Sequence, residues 1–386
     1  MPPTGNSVTI MAPSPEMTIH LPTSLLCRAT SVKPRSEGRA AMVRAVVIAV
    51  GLCLALAGAA RAADPAPDAA IIEIKRAIAD AVQSEGAASP ALPPLYGRLA
   101  RLQFTAGDLD AATAARRRNL TVALHLIGGE SLGTAEAMIA LADAELDQLH
   151  YFDAEGMLII AGNIIEAAPG ADAAAQVPVL AGLARISMAR GDLAKAEAQA
   201  RRAVVLRARN PHPRSSEALR VLGAVLAGER KFDEGAAILK QAVAFDRAQH
   251  GADDPETARS LSQLGNLYLR ADRFAEALRP LEEAAAIDQA RLVPNHPFIA
   301  DDLHDIAIAD ERLKREHLAH RLLTAALALL RGGSEPNHTR VALCELDLSR
   351  IDRALGDSAA ADAAFLRARR LLDAAQKEER NRERHA

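Results

Sequence analysis

The chain predicts an all-α fold, an α-solenoid of antiparallel helix pairs, and three observations carry that prediction. The first is a period of 42 residues, in which a large aliphatic residue followed by a small one recurs at Leu222-Gly223, Leu264-Gly265, Ile306-Ala307 and Leu348-Ser349. The same register holds Gly235, Ala277, Ala319 and Ala361, then Leu239, Leu281, Leu323 and Phe365, then Ala242, Ala284, Ala326 and Ala368. The second is that apolar residues inside a unit follow helical spacing, as in Leu261, Leu264, Leu267 and Tyr268 and then Phe274, Leu278, Leu281 and Ile287. The third is composition: 49% of residues are hydrophobic but only 3% aromatic, with no Trp, which suits helix pairs meeting through small side chains. A unit that cannot bury its own apolar face needs neighbours to cover it, so the repeats must stack, and stacked repeats work mostly by presenting long binding surfaces.

The elements follow in order. Residues 1–41 are rich in Pro, Ser and Thr and lack periodicity, so they are expected to be disordered or untranslated, with Met42 as the true start. Residues 42–62 read as a secretory signal peptide: Arg44, then 16 uncharged residues, then Ala60-Arg61-Ala62 with small residues at the cleavage positions. At 1.5 Å per residue that run spans about 24 Å, short of the roughly 30 Å hydrocarbon core, so cleavage after Ala62 is expected and stable membrane insertion is not. The mature protein is then exported, periplasmic or secreted. Residues 63–94 hold a capping helix, with Ile71, Ile74, Ile78 and Val82 on its stripe, and a Pro-rich linker from Ser84 to Pro94.

An array of about seven repeats fills residues 95–375. The first unit has Leu99 and Leu102, a turn at Gly107-Asp108, then Leu109 and Ala112. The second runs through Leu141-Ala142 and from Phe152 to Ile165, with about one extra residue expected in its turn. The third has Leu183-Ala184, Gly191-Asp192-Leu193 and Ala196. Pro and Gly clusters punctuate the later units at 210–213, 251–255, 294–297 and 332–337. Pro280 falls within a predicted helix and is expected near its first turn, where a missing N–H costs least. Residues 376–386 form a charged tail, expected to fray.

The stretch from Leu261 to Ile287 resembles a tetratricopeptide repeat, with Leu264, Gly265, Tyr268, Ala277, Leu281 and Ala284 at the signature positions. The longer period, together with Asp254-Pro255-Glu256-Thr257-Ala258 and Asn295-His296-Pro297, is similar to the kinesin light chain subtype. The resemblance implies helix pairs coiling into a right-handed superhelix whose first helices line a concave groove. A HEAT or armadillo array has a compatible period, and the paired Leu-Gly and Ala positions favour the tetratricopeptide reading. Where Tyr268 stands, the sister units carry Leu226, Asp310 and Asp352, and Phe274 becomes Glu316 and Ser358, so the last two units are expected to pack less tightly.

Composition and motifs bound the function. The net charge is −3, and residues 1–62 hold six Lys/Arg against two Asp/Glu, so the rest is mildly acidic, unlike the basic surface of a nucleic-acid binder. Of Cys27, Cys53 and Cys344 only the last lies in the array, which leaves neither a disulfide nor a cysteine metal site there. No phosphate loop, nucleophile elbow or metalloprotease helix occurs, so an enzyme is not expected, nor a cofactor. His304, His317 and His320 are the best metal candidates and read as packed or solvated histidines. His212, His296 and His338 sit at inter-repeat turns with local hydrogen-bonding roles.

Carrying the family's concave positions onto this chain gives Arg185, Glu217, Arg220, Arg259, Ser262, Asn266, Arg270, Asp301, His304, Arg312, Arg350 and Arg353. Arginine outnumbers acid there, and its planar fork suits carboxylates. The expected function is an exported, non-enzymatic scaffold or adaptor that binds a protein or peptide segment of acidic character in the groove. The competing expectations are that the same arginines pair with neighbouring acids on a solvated helix face, or that the array self-associates into a homo-oligomer.

Overall fold

The computed structural model describes residues 67–169, 172–209, 215–332 and 338–385. The predicted disordered leader, signal peptide and Met42 start lie outside them, as do Cys27, Cys53 and the 210–213 turn. The described residues fall within one compact unit.

The described residues fold into fifteen α-helices and no strand. A lone helix α1 (Pro67–Glu85) precedes seven pairs: α2 (Leu92–Thr105) with α3 (Leu109–Ile127), α4 (Leu132–Asp147) with α5 (Tyr151–Ala167), α6 (Gln176–Ala189) with α7 (Leu193–Arg209), and α8 (Ser215–Gly228) with α9 (Phe232–Gln249). Then come α10 (Pro255–Arg270) with α11 (Phe274–Arg291), α12 (Pro297–Arg312) with α13 (Glu316–Arg331), and α14 (His338–Ala354) with α15 (Ser358–His385). Each first helix packs on its own partner, on the second helix of the preceding pair and, from α4 onward, on the next first helix, whereas consecutive second helices do not pack this way. The first helices therefore crowd the inside of the curve.

The turn inside each pair fixes the repeat. A residue with positive φ ends every first helix: Gly107, Leu149, Gly191, Arg230, Asp272, Lys314 and Gly356. The spacing is 42 residues throughout except between Gly191 and Arg230, where it is 39, so the second unit carries no inserted residue, contrary to expectation. Behind each of these residues the next N–H reaches back five positions to a carbonyl at 2.8–3.0 Å, for example His150 to Glu145, Arg273 to Tyr268 and Asp357 to Asp352. This left-handed cap uses up the helix's last carbonyls and turns the chain straight into the second helix. At the other end Asp108, Ser131 and Asp254 accept from the first-turn N–H groups of α3, α4 and α10.

Packing explains the Leu-Gly register. A Cβ on Gly223 would lie 2.4 Å from Leu239, and one on Gly265 2.4 Å from Leu281, so the two glycines occupy equivalent places and let each pair close up. Leu239, Leu281 and Leu323 are fully buried, as are Ala277, Ala307, Ala319 and Ala361. Phe365, predicted to join the leucines, is 49% exposed, and Ala364 turns inward instead. Its ring is larger than the Leu of the sister units.

Other expectations are corrected. α2 begins at Leu92, inside the predicted linker, because Pro93 and Pro94 fall in its first turn, where no N–H is needed. Pro280 lies in the second turn of α11 and removes a bond to the carbonyl of Glu276. The charged tail is helical, with α15 running to His385, as a Gly- and Pro-free sequence permits. In place of Tyr268, Asp310 and Asp352 are buried, Asp310 beside Arg315 at 3.0 Å and Asp352 beside His320 at 3.2 Å.

Candidate functional site: the concave face

Three of the predicted concave-face arginines reach back to an acid about one repeat away. Arg185 binds Asp147 at 3.0 Å, Arg312 meets Asp272 at 3.3 Å, and Arg350 takes both oxygens of Glu311 at 2.6 and 2.5 Å. Arg340 binds Asp301 at 2.5 Å in the same way. These pairs tie α6, α12 and α14 each to the preceding repeat. Arg353 bonds Asp362 within its own pair at 3.0 Å. Arg220 is buried, donates to Ser216 at 3.0 Å and pairs with Glu256 at 3.0 Å.

His304 sits between Asp347 at 2.7 Å and Asp305 at 3.4 Å. Burial opposes its charge, but the two carboxylates outweigh it and push its pKa up to about 10. His320 is engaged with Asp352, and His317 is exposed, so the structure does not join the three histidines. Among the described residues Glu145, His150 and Asp153 do bring ligating atoms within 4.8 Å of one another. Both Glu145 oxygens are already held, by Arg117 at 2.7 Å and His150 at 2.9 Å, at the α4–α5 turn.

Three predicted groove residues stand apart: Arg259, Asn266 and Arg270 form no hydrogen bond within the described chain, and all lie on one stripe of α10. Ser262 on the same stripe donates to Asp302 of α12 at 2.9 Å. Arg259 lies at the N-terminal end of the stripe, 35% exposed, with Glu256 as its nearest acid at 3.6 Å. Burial works against its charge, yet Glu256, Asp147, Glu217 and Asp143 together hold its pKa above the ordinary guanidinium value. One side chain of α10 thus feels carboxylates of α4 and α8, which shows how tightly the concave side closes.

The closure has a contact that sequence reasoning missed. His296, fully buried at the start of α12, donates from Nε2 to the carbonyl of Phe104 in the first repeat at 2.9 Å, while its Nδ1 accepts the N–H of Phe298 at 3.2 Å. Phe104, His296 and Phe298 stack edge to face with centroids 4.9–5.6 Å apart. Gly107 also abuts this point, where a Cβ would lie 3.5 Å from His296 Cα. The sequence signalled only that His296 sits at an inter-repeat turn; nothing local shows a partner 192 residues away.

Fold and face together define an α-solenoid of stacked antiparallel helix pairs. Residues 214–290 match the tetratricopeptide repeat family model. No curated protein sequence matches it. Among solved structures it is similar to the Rap conjugation gene regulator of plasmid pLS20 in complex with the Phr* peptide (14% identity, TM-score 0.56, 73% of this chain and 74% of that one). It is also similar to the apo form of RapI (13%, 0.50, 73% and 98%) and to a kinesin light chain-like repeat protein of Podosopora anserina (20%, 0.37, 52% and 96%). At these identities the likeness is one of fold.

Proposed function

We propose that this protein is a scaffold that holds an extended or helical segment of a protein partner on its concave face, with α10 as the main contact. The supporting observation is the division of labour among the concave side chains. Arg185, Arg220, His304, Arg312, Arg350 and Arg353 are engaged by acids of the array, Arg259 is held more loosely by Glu256 at 3.6 Å, and Asn266 and Arg270 are left to meet a ligand. The arginine-rich groove expected from sequence thereby narrows to one helix. The Rap regulator shows a solenoid of this fold with a peptide bound. Replacing Arg259 and Arg270 together by Glu should abolish partner recovery from the native compartment, and undiminished recovery would remove α10 from the reading.

The proposed setting is outside the cytoplasm, on the strength of the residue 42–62 segment. Among the described residues no helix is long and apolar enough to cross a membrane. N-terminal sequencing of the mature protein should start at Ala63, and a start upstream of Met42 would defeat both parts of this expectation.

Self-association has one observation in its favour. The outward face of α5 carries Phe152, 68% exposed, with Leu149, Ile159 and Ile160 on the same side. Sedimentation across a concentration series decides it, since a monomer at all concentrations excludes the homo-oligomer.

A further inference from the structure

The outward face of α5 departs from its sisters. Each second helix follows a turn residue with positive φ, and positions ten and eleven beyond that residue are Arg117-Arg118 in α3, Arg201-Arg202 in α7, Lys240-Gln241 in α9 and Glu282-Glu283 in α11. In α5 they are Ile159-Ile160, 48% and 50% exposed. Phe152, 68% exposed, stands where α3 and α9 have Asp110 and Asp233. Phe152, Gly156 and Ile160 fall on one line four residues apart, with Gly156 at the middle of the exposed arc and the charges of Asp153 and Glu166 at its two edges. A Cβ on Gly156 would meet nothing within 4 Å, so no neighbour in the described chain requires glycine there. Glycine weakens a helix, and α3, α7 and α9 have Ala114, Ala198 and Ala237 at this place.

We propose that the outward face of α5 is an interface with a second copy of this chain, the two α5 helices crossing antiparallel at Gly156. This rests on the self-association reading and adds to it the face and the orientation. Gly156 lets the two backbones approach closely. Phe152 and Ile160 lie about 6 Å to either side of it along the helix axis, so in the antiparallel order each Phe152 meets the second copy's Ile160. The face is thereby complementary to itself, as a two-fold contact demands, with an aromatic anchor on each side. The borders choose this order. With α5 antiparallel, α3 lies over the second copy's α3, where Asp110 and Arg118 hold the register places of Phe152 and Ile160. Both are exposed and bonded to nothing in the described chain, so Asp110 of each copy is available to Arg118 of the other. With α5 parallel, α3 would lie over α7 and bring Arg117 and Arg118 onto Arg201 and Arg202, which repel. The contact uses second helices only, so a dimer keeps both concave faces open to a partner.

The test begins with sedimentation of the full chain from about 1 to 300 µM. A monomer–dimer equilibrium is expected, and Phe152→Glu and Gly156→Leu should each weaken it by about tenfold or more while the helical circular dichroism spectrum is retained. Orientation is read by cross-linking in a chain carrying Cys27→Ala, Cys53→Ala and Cys344→Ala. Phe152→Cys and Ile160→Cys variants of that chain should form a disulfide when mixed and oxidised but not separately, since like positions stand about 12 Å apart in the antiparallel order, beyond disulfide reach. A cross-link in Phe152→Cys alone overturns the antiparallel order. A dimer unchanged by both Phe152→Glu and Gly156→Leu overturns the α5 interface and leaves self-association standing. A monomer at every concentration defeats both, including one that cosediments with phosphatidylglycerol vesicles, which assigns the face to a lipid surface.

Discussion

His296 donates its Nε2 proton to the main-chain carbonyl of Phe104 at 2.9 Å, joining the first and sixth repeats across 192 residues. A carbonyl can only accept, so the proton sits on Nε2, and Nδ1 is left to accept the N–H of Phe298. Burial is the main cause that lowers the pKa of His296, to about 4, with Arg340 and Arg259 adding to it. The contact is therefore built for the neutral ring.

Its pH dependence has a definite sign. The pKa in the folded chain is lower than the roughly 6.5 of an unfolded one, so the stability it contributes is whole above about pH 6.5 and is lost as pH falls toward 4. Spin labels on the first and sixth repeats should show the distance between them widening between pH 6.5 and 4. In His296→Ala the repeats should stand apart at neutral pH, with no further change on acidification.

A second titration runs the other way. Asp288 at the end of α11 and Asp302 on α12 are buried together, and burial pushes both pKa values up, Asp288 to about 7 and Asp302 well above its usual range with the Asp288 charge adding to it. The preceding repeat has Asp246 and Ser260 at these places, bonded at 2.5 Å, and the following one has Leu330 and Cys344. Stability from the protonated pair is present below the unfolded pKa of about 4 and is lost as pH rises through 7. Asp302→Ser copies the preceding repeat, so it should flatten the fall in melting temperature between pH 6 and 8.5.

Glu345 is fully buried at the position that Leu219, Leu261 and Leu303 hold in the other repeats. Arg331 and both nitrogens of a forked contact from Arg367, at 2.8 Å, reach it. Removing both arginines should cost about 3 kcal/mol in denaturant unfolding, since it strands a buried carboxylate, whereas Glu345→Leu should cost little or stabilise. A loss in Glu345→Leu as large as in the double arginine variant would contradict this account.

The turn residues permit a stability test on single positions. Leu149 holds φ 67° where its sisters in the first, third and seventh repeats are Gly107, Gly191 and Gly356. Leu149→Gly should relieve that strain and stabilise by about 0.5–1 kcal/mol after the added chain entropy of glycine. Gly265→Ala should instead destabilise by about 1–3 kcal/mol, because its Cβ would run into Leu281. Gly156→Ala on the open face of α5, with nothing within 4 Å, should gain up to about 1 kcal/mol.

Much of the fold was legible because the forces that set it are local or act between adjacent repeats. The Leu-Gly pairs and Ala positions marked the contacts of Gly223 with Leu239 and Gly265 with Leu281. The candidate site was legible only as a face. Family positions named the concave arginines, but whether each meets an acid one repeat away is a matter of register between helices, so Arg312 and Arg259 look alike in sequence and differ in structure.

The sequence by itself determined the helix pairs, their period and the small residues that let them close, since each of these is decided within one repeat or against its neighbour. Only the tertiary structure decided that the first repeat meets the sixth, which of the arginines are consumed, and where Arg259 comes to stand. Curvature accumulates from small rotations at every junction, and no single stretch of residues contains their sum.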